Sequence, residues 1–460
     1  RGRGILPLRE DIRPRIGRGR QALRARLVAP VPRIARPRLG LLTGVRTGPL
    51  QDGMPAARRG LSRGLRPYRV LPAGLRMGLF DSLGNYFFKH FYGDPLSPEH
   101  QVKLRWIPID DGTYSDMARD YDPYKIAWRV GVGWFESWFQ GLEQRTGQSL
   151  GRRLAHAALE YEEHMMSFGG FDAPSGRKTS SWSDTIQDWH SRGLGRFELL
   201  DDGEKTRILV ERPASGPICS GLVAAAWERA TGKRHRFLWS EIVGEGLVIT
   251  LTQDDAQVPE PKPRRPTWRN REIGVNLDNE STDELWGDLR INSSGDWSIM
   301  NERRMFLHRD LILRFEDYCL PHLDGIHEGR NEDYRWEGLE DKRPIWWTAA
   351  ADTARELFIS SGHHVLVAQP DDWISIGRRH LSTHGLGSVV QARETDGNGG
   401  VSLDLGSSYH PALASGVLLG CWERAHGRDG RISSVISDSS IVIELCPARE
   451  IADTVSGRVP

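Results

Sequence analysis

From residue 126 onward the apolar positions fall into two kinds of run that recur in the same order. Short alternating runs at Arg196–Leu200, Thr206–Arg212, Arg236–Val243 and Leu247–Thr252 carry the period of two that sends alternate side chains to opposite faces of a strand. Asp201-Asp202-Gly203 and Gly244-Glu245-Gly246 are turn residues suited to closing these runs into hairpins. Between the hairpins, small and apolar residues open near Pro217 and stop at Gly232, residue types favoured at a helix's first turn and just past its end. A second set follows, with strands at Ser388–Glu394, Val401–Leu405, Arg431–Ile436 and Ser440–Cys446 and a helix from Pro411 to His426. Longer apolar stretches precede each set. Their length predicts helices at Ile126–Gly147 and Leu150–Met166, then at Glu302–Tyr318 and Ile345–Gly362.

The two sets are alike in sequence as well as in pattern. The thirteen residues from Ser220 to Gly232 align without a gap to those from Ser415 to Gly427, and seven are identical, including Trp-Glu-Arg-Ala at Trp227 and Trp422. Gly193-Leu194-Gly195 stands 34 residues before Trp227, and Gly385-Leu386-Gly387 stands 37 before Trp422. Arg236 and Arg431 each fall nine residues after their tryptophan. Self-similarity of this kind marks a duplicated structural unit. The fold expected is therefore α/β of the α+β kind: two tandem repeats, each with N-terminal helices followed by β-β-α-β-β and an antiparallel sheet. The repeats span 77–252 and 271–448, joined by a Pro-rich linker at 253–270 and followed by a tail at 449–460. We further expect the repeats to pair face to face.

Residues 1–76 stand apart. They hold nineteen Arg, no Lys and three acids, a net of +16 in a chain whose formal charge is +1, which leaves −15 for the remainder. Without Trp, Phe or sustained periodicity, this segment reads as a disordered Arg/Pro/Gly-rich leader or a non-native extension. Met77-Gly78-Leu79-Phe80-Asp81-Ser82 fits the pattern for N-myristoylation, and the aromatic cluster from Phe80 to Tyr92 reads as a helix docking on its own domain. The acidic body at 77–460 lacks the basic footprint of a nucleic-acid binder. No stretch is apolar enough to span a membrane as a helix, and a cytoplasmic location is expected. Cys219, Cys319, Cys421 and Cys446 are too scattered for a disulfide framework or a zinc knuckle.

The run Gly193-Leu-Gly-Arg-Phe-Glu-Leu199, the helix Ser215–Gly232 led by Cys219 and closed by Trp-Glu-Arg-Ala-Thr-Gly, and the hairpin ending at Thr252 together resemble the 4-vinyl reductase domain family. That family shares its fold with TRAPP vesicle-tethering subunits and haem nitric-oxide-binding domains. The resemblance covers Tyr121–Thr252 and Ile345–Cys446. It implies a module that binds a small or hydrophobic ligand, often as a dimer, in sensing or assembly. Two departures matter. The cysteine pair that many members carry around the last hairpin is missing from Trp239–Val248 and Ser434–Val442, and the haem signature Tyr-x-Ser-x-Arg is absent. No cofactor is expected, and haem and zinc are disfavoured.

His156, Glu160 and His164 lie at i, i+4 and i+8, on one face of a predicted helix. Eight residues at 1.5 Å rise put the two histidines about 12 Å apart, too far for one zinc, which leaves His156 with Glu160 as half a metal site or, more simply, a solvated face. Cys219 opens a helix, where a thiolate gains from the macrodipole; the plainer reading is a buried small hydrophobe. The small residues Gly221, Ala224, Ala225 and Ala226, with Gly416 and Gly420, read as helix packed on sheet. Cys219 and Trp227, with Trp128, Trp134 and Trp138, are the candidate walls of a ligand pocket between the Cys219–Thr231 helix and the Trp128–Trp138 helix. No nucleotide, zinc-protease or hydrolase signature is present, and no catalytic residue is assigned. The leading expectation is a binding protein, sensor or assembly scaffold with a hydrophobic ligand or a protein partner. An enzyme or accessory factor for a hydrophobic or tetrapyrrole-like substrate, and a purely structural protein, are the alternatives.

Overall fold

The computed structural model describes residues 97–449 except 110, 120–124, 169–172, 179–180, 245, 257–261, 263, 269–284 and 439. The Arg-rich leader, the segment following Met77 and residues 450–460 lie outside the described residues. Everything described belongs to one compact unit. Helix α1 (Pro98–Arg105) leads into strands β1 (Trp106–Pro108), β2 (Tyr114–Asp116) and β3 (Ile126–Gly131), then α2 (Val132–Thr146), α3 (Gly151–Phe168) and α4 (Ser183–Ser191). The hairpin β4 (Arg196–Asp202) and β5 (Thr206–Glu211), helix α5 (Gly216–Thr231) and the hairpin β6 (His235–Ile242) and β7 (Gly246–Gln253) complete the first half. The second half runs β8 (Leu289–Ile291), β9 (Trp297–Ile299), β10 (Glu302–His308), α6 (Arg309–Cys319), β11 (Tyr334–Glu337), α7 (Arg343–Ser360) and α8 (Asp372–His380). It closes with β12 (Gly387–Glu394), β13 (Val401–Ser408), α9 (Pro411–His426), β14 (Gly430–Ile436) and β15 (Ile441–Pro447). The protein is α+β, and among the described residues, apart from α1 and β11, the same order of helices and strands occurs in both halves.

Two of the expected helices are each a strand followed by a helix. Ile126–Gly147 divides into β3 and α2, and Glu302–Tyr318 into β10 and α6. Every residue of β3 is buried, the charged Arg129 included, so its sequence carries no polar-apolar alternation to separate it from a buried helix. The backbone turns from extended to helical at Gly131 and at His308.

Three sheets form. The central one has the order β1-β2-β3-β10-β9-β8, and its middle is the antiparallel pairing of β3 with β10, from Ala127 opposite His308 to Gly131 opposite Arg304. The two halves thus share one sheet. The outer sheets are β4-β5-β7-β6 and β12-β13-β15-β14, the second extended by β11 lying parallel to β14, a parallel pair in a sheet expected to be wholly antiparallel.

Because β3 and β10 run oppositely, the helices that follow them pack across the join. Trp138 of α2 donates from Nε1 to the Ala350 carbonyl on α7, at 3.1 Å, and its ring meets Trp346. The turns cross over as well: Gly387 N donates to Gly112 O at 2.9 Å, and Gly195 N to Gly295 O at 3.1 Å. A Cβ on Gly112 would sit 2.3 Å from Gly387 O, so each Gly-Leu-Gly turn receives a glycine turn from the other half. The small-residue helices approach another helix as well as a sheet. A Cβ on Gly221 would lie 2.1 Å from Ala155 O on α3, and one on Gly416 would lie 2.0 Å from Ala351 O on α7. The Pro-rich stretch 253–270 is no loose tether where it is described. Trp268 is buried and donates to Ser408 O, Lys262 O accepts from Arg314, and Arg264 pairs with Glu160 and Asp317.

One hydrophobic core runs through both halves, from Ile126 to Leu445. Residues 77–258 and 268–460, expressed separately, should therefore each lose the centre of a sheet and fail to give a monodisperse folded species. Co-expression should restore a 1:1 complex on size exclusion with the intact protein's circular dichroism. Two folded monomers without mutual affinity would contradict this.

Candidate functional site

The structure separates the residues expected to wall one pocket. Cys219 is fully buried in the first turn of α5, and its Sγ–H donates to Leu194 O at 3.5 Å. Burial raises the thiol's pKa, outweighing the backbone hydrogen bonds and nearby arginines that favour the thiolate, so the side chain is a buried small hydrophobe. Trp227 is buried on the same helix, with its ring 5.8 Å from that of Trp182. The crevice beside it, lined by Trp182, Trp189, Phe197 and Val223, holds about 20 Å³, room for one water. Trp128 is on β3 and Trp134 and Trp138 are on α2. They pack with one another's neighbours and with the second half: Trp128 with Trp134 and Tyr409, Trp138 with Trp346. The reason is topological, since α2 follows β3 across the join and turns its aromatic face to α7 instead of α5.

His156 and Glu160 do lie together, on α3, and both line the wider space beside that helix. The His156 ring sits 5.5 Å from Phe237 and 6.3 Å from Tyr318. Glu160 is taken by Arg314 at 2.7 Å and Arg264 at 3.7 Å. Among the described residues no group of three His, Cys, Asp or Glu is placed to hold a metal ion.

The space itself is a groove in two adjoining parts that share His156 and Arg234 in their linings. One part, of about 440 Å³, is lined by Leu159, Glu160, Glu163, Lys262, Arg264, Asp317, Tyr318 and His322. The other, of about 470 Å³, runs along β6 past Arg152, Arg236, Phe237, Leu238, Thr250, Thr252 and Asp254. Its charges are uneven. Glu160 and Asp317 are matched by arginines, and Asp254 by Arg236 at 2.7 Å. Burial, reinforced by the neighbouring Glu228 carboxylate, pushes the Glu163 carboxyl up to about 8, so it carries a proton at neutral pH. His156 is held below its ordinary value by burial and then by Arg234 and Arg152. Five cations, Arg152, Arg234, Arg236, Lys262 and Arg264, thus face four carboxyl groups, Glu160, Glu163, Asp254 and Asp317, and Arg234 lies 3.6 Å from Glu163. No sequence spacing announced this groove, because α3, β6, α6 and the 262–264 stretch meet only in three dimensions.

A second cluster is buried at the join. Asp116 accepts from Arg105 Nε at 2.8 Å and Nη2 at 2.7 Å and from His308 Nε2 at 3.0 Å. Burial lowers the His308 pKa to about 4, and its arginine partners hold Asp116 well below the carboxylate range against its own burial. The imidazole is therefore neutral with its proton on Nε2, and Nδ1 accepts from Tyr161 O–H at 2.7 Å. Asp188 joins Arg105, Arg119 and Arg192, and Glu162 accepts from Arg192 and Trp189. This Asp–His–Tyr chain ties β2 and α3 of the first half to β10 of the second. None of these spacings is visible in sequence.

Searches of protein families, of curated proteins and of solved structures return no match to this chain.

A carboxyl whose pKa is raised on folding favours the folded state most below its unfolded value near 4.5, and that advantage is lost as pH rises through about 8. Glu163→Gln mimics the protonated form. It should be nearly neutral at pH 5 and stabilise by on the order of 1–2 kcal/mol at pH 8.5, read as a melting-temperature difference from the parent that grows with pH. A difference independent of pH would contradict a protonated Glu163.

Proposed function

We propose that the protein is a binding and assembly scaffold whose ligand is anionic and lies in the groove beside α3. The observation that carries this is the surplus of cations around a space of several hundred Å³, in a body whose sequence is otherwise acidic. A groove whose lining carries an excess of one sign of charge concentrates counter-charged ligands. The reading keeps the binding role implied by the resemblance to 4-vinyl reductase-type domains and moves the site, because Trp128, Trp138 and Trp227, expected to line a hydrophobic pocket, are buried in the core and the half-buried Trp134 packs against it. No described helix is long and apolar enough to cross a membrane. A cytoplasmic location is part of the proposal, and the four unpaired cysteines suit a reducing compartment.

One observation favours an enzyme as the second reading. Glu163 is a carboxylic acid at neutral pH on a groove wall, the state required of a general acid.

A thermal-shift panel decides between these ligand classes. Citrate, pyrophosphate and an acidic peptide should raise the melting temperature with concentration, less so at 0.5 M salt because exposed charges are screened. Arg152→Ala combined with Arg236→Ala should remove most of the effect. Stabilisation by neutral apolar compounds, with none from anions, would overturn the proposal.

A further inference from the structure

The two outer sheets differ at one edge. In the second half, β14 is covered by β11, which lies parallel to it with Tyr334 opposite Ile432 and Trp336 opposite Ser434. In the first half, β6 is the corresponding strand: Glu228 accepts from His235 N as Glu423 accepts from Gly430 N, which aligns His235 with Gly430. Among the described residues β6 ends its sheet, with nothing paired to its outer edge. The cause lies in a connection length. Between α6 and α7 the chain has residues 320–342, enough to supply β11, whereas between α2 and α3 it has only 147–150.

The seat that β11 uses is nevertheless present in the first half. Tyr334 O–H donates to Asp352 at 3.0 Å and Trp336 Nε1 to Thr348 at 2.9 Å, both acceptors on α7. Gly221 faces Ala155 O as Gly416 faces Ala351 O, so Thr348 corresponds to Arg152 and Asp352 to His156. These two residues, with Arg236 on β6 itself, line the 470 Å³ part of the groove that follows the strand. Where the second half offers acceptors to a Tyr and a Trp, the first half offers a guanidinium and an imidazole.

We infer that the open edge of β6 receives an extended acidic segment of a partner protein as a fifth strand, parallel to β6, with carboxylates at alternate positions reaching Arg152 and His156. The inference rests on the anionic-ligand reading and specifies its ligand. An added strand satisfies the edge N–H and C=O groups through its main chain, while the side chains on its groove-facing side supply selectivity. Parallel addition is the direction already used by β11, and the charge of Arg152 and Arg236, with the His156 imidazole as a neutral hydrogen-bond partner, selects Glu or Asp where β11 carries aromatics. The added strand would lie beside Phe237–Ser240, the positions that align with Ile432–Val435.

The test uses the full chain and a fluorescein-labelled peptide with the sequence of residues 331–338 carrying Tyr334→Glu and Trp336→Glu. Fluorescence anisotropy should show binding. Backbone N-methylation of alternate residues should weaken it at least ten-fold, and so should replacing the two new glutamates by lysine. Amide hydrogen exchange should slow across 235–242 on addition of the peptide. Arg152 is exposed, so Arg152→Ala should fold normally and weaken binding about five-fold or more. Equal affinity for the N-methylated peptide with unchanged exchange at 235–242 would overturn strand addition. If small anions still stabilised the protein, the anion-binding groove would stand without it. Protection appearing at 430–436 instead would mean that the peptide displaces β11, and would equally overturn the assignment to β6.

Discussion

The antiparallel pairing of β3 with β10 is the constraint on which the rest of the molecule depends. All of β3 and the Met305–His308 end of β10 are buried, so neither could stand at the edge of a separate domain without exposing apolar faces and unpaired backbone groups. Once they pair, the helices that follow leave the sheet in opposite directions and must pack on the far half. Trp138 then meets Ala350 and Trp346, and each Gly-Leu-Gly turn closes on a glycine from the other half. The expected face-to-face pairing takes the form of an exchange of elements instead of two finished domains in contact.

Burying charge at such a join is costly unless each group is matched. Here Arg105, Arg119 and Arg192 are set against Asp116, Asp188 and Glu162, with a neutral histidine and a tyrosine completing the chain. Removing one partner would leave another charge buried and unpaired, a loss of about 3–5 kcal/mol. The second half buries carboxylates of its own elsewhere, among them Glu316, which accepts from Arg343, Trp347 and His410. His410 in turn caps α9, its Nδ1 accepting from Ala412 N. The halves share a scaffold and the Glu228/Glu423 contact, but these buried charge clusters differ between them.

The same divergence shapes the surface. A twenty-three-residue connection in one half supplies a strand that the four-residue connection in the other cannot, and the groove with its cations is found beside the shorter one. Trp227 and Trp422 show the effect on a smaller scale. Trp422 Nε1 donates to Gly399 O in the long β12–β13 turn at 2.8 Å. The shorter β4–β5 turn offers Trp227 no such carbonyl, and its Nε1 is without a partner among the described residues.

Local pattern was enough to find α3, α5, α7, α9 and all eight strands of the two β-β-α-β-β sets, because alternation, Pro at a first turn and a closing Gly act within a few residues of themselves. The likeness of Ser220–Gly232 to Ser415–Gly427 was legible for the same reason. Pattern failed at β3, where burial on both faces erases alternation, at β10, where three charged residues precede an unbroken buried run, and at the three-residue strands beside them, which are too short to show a period. It placed Cys219 and Trp227 on the right helix and His156 with Glu160 on the right face. It could not say that Trp128, Trp134 and Trp138 turn away from them, since that follows from which strand pairs with which. The groove, the raised Glu163 and the Asp116–His308–Tyr161 chain join residues as far as 192 positions apart. Such contacts depend on strand pairing and loop length, and only the tertiary structure decides them.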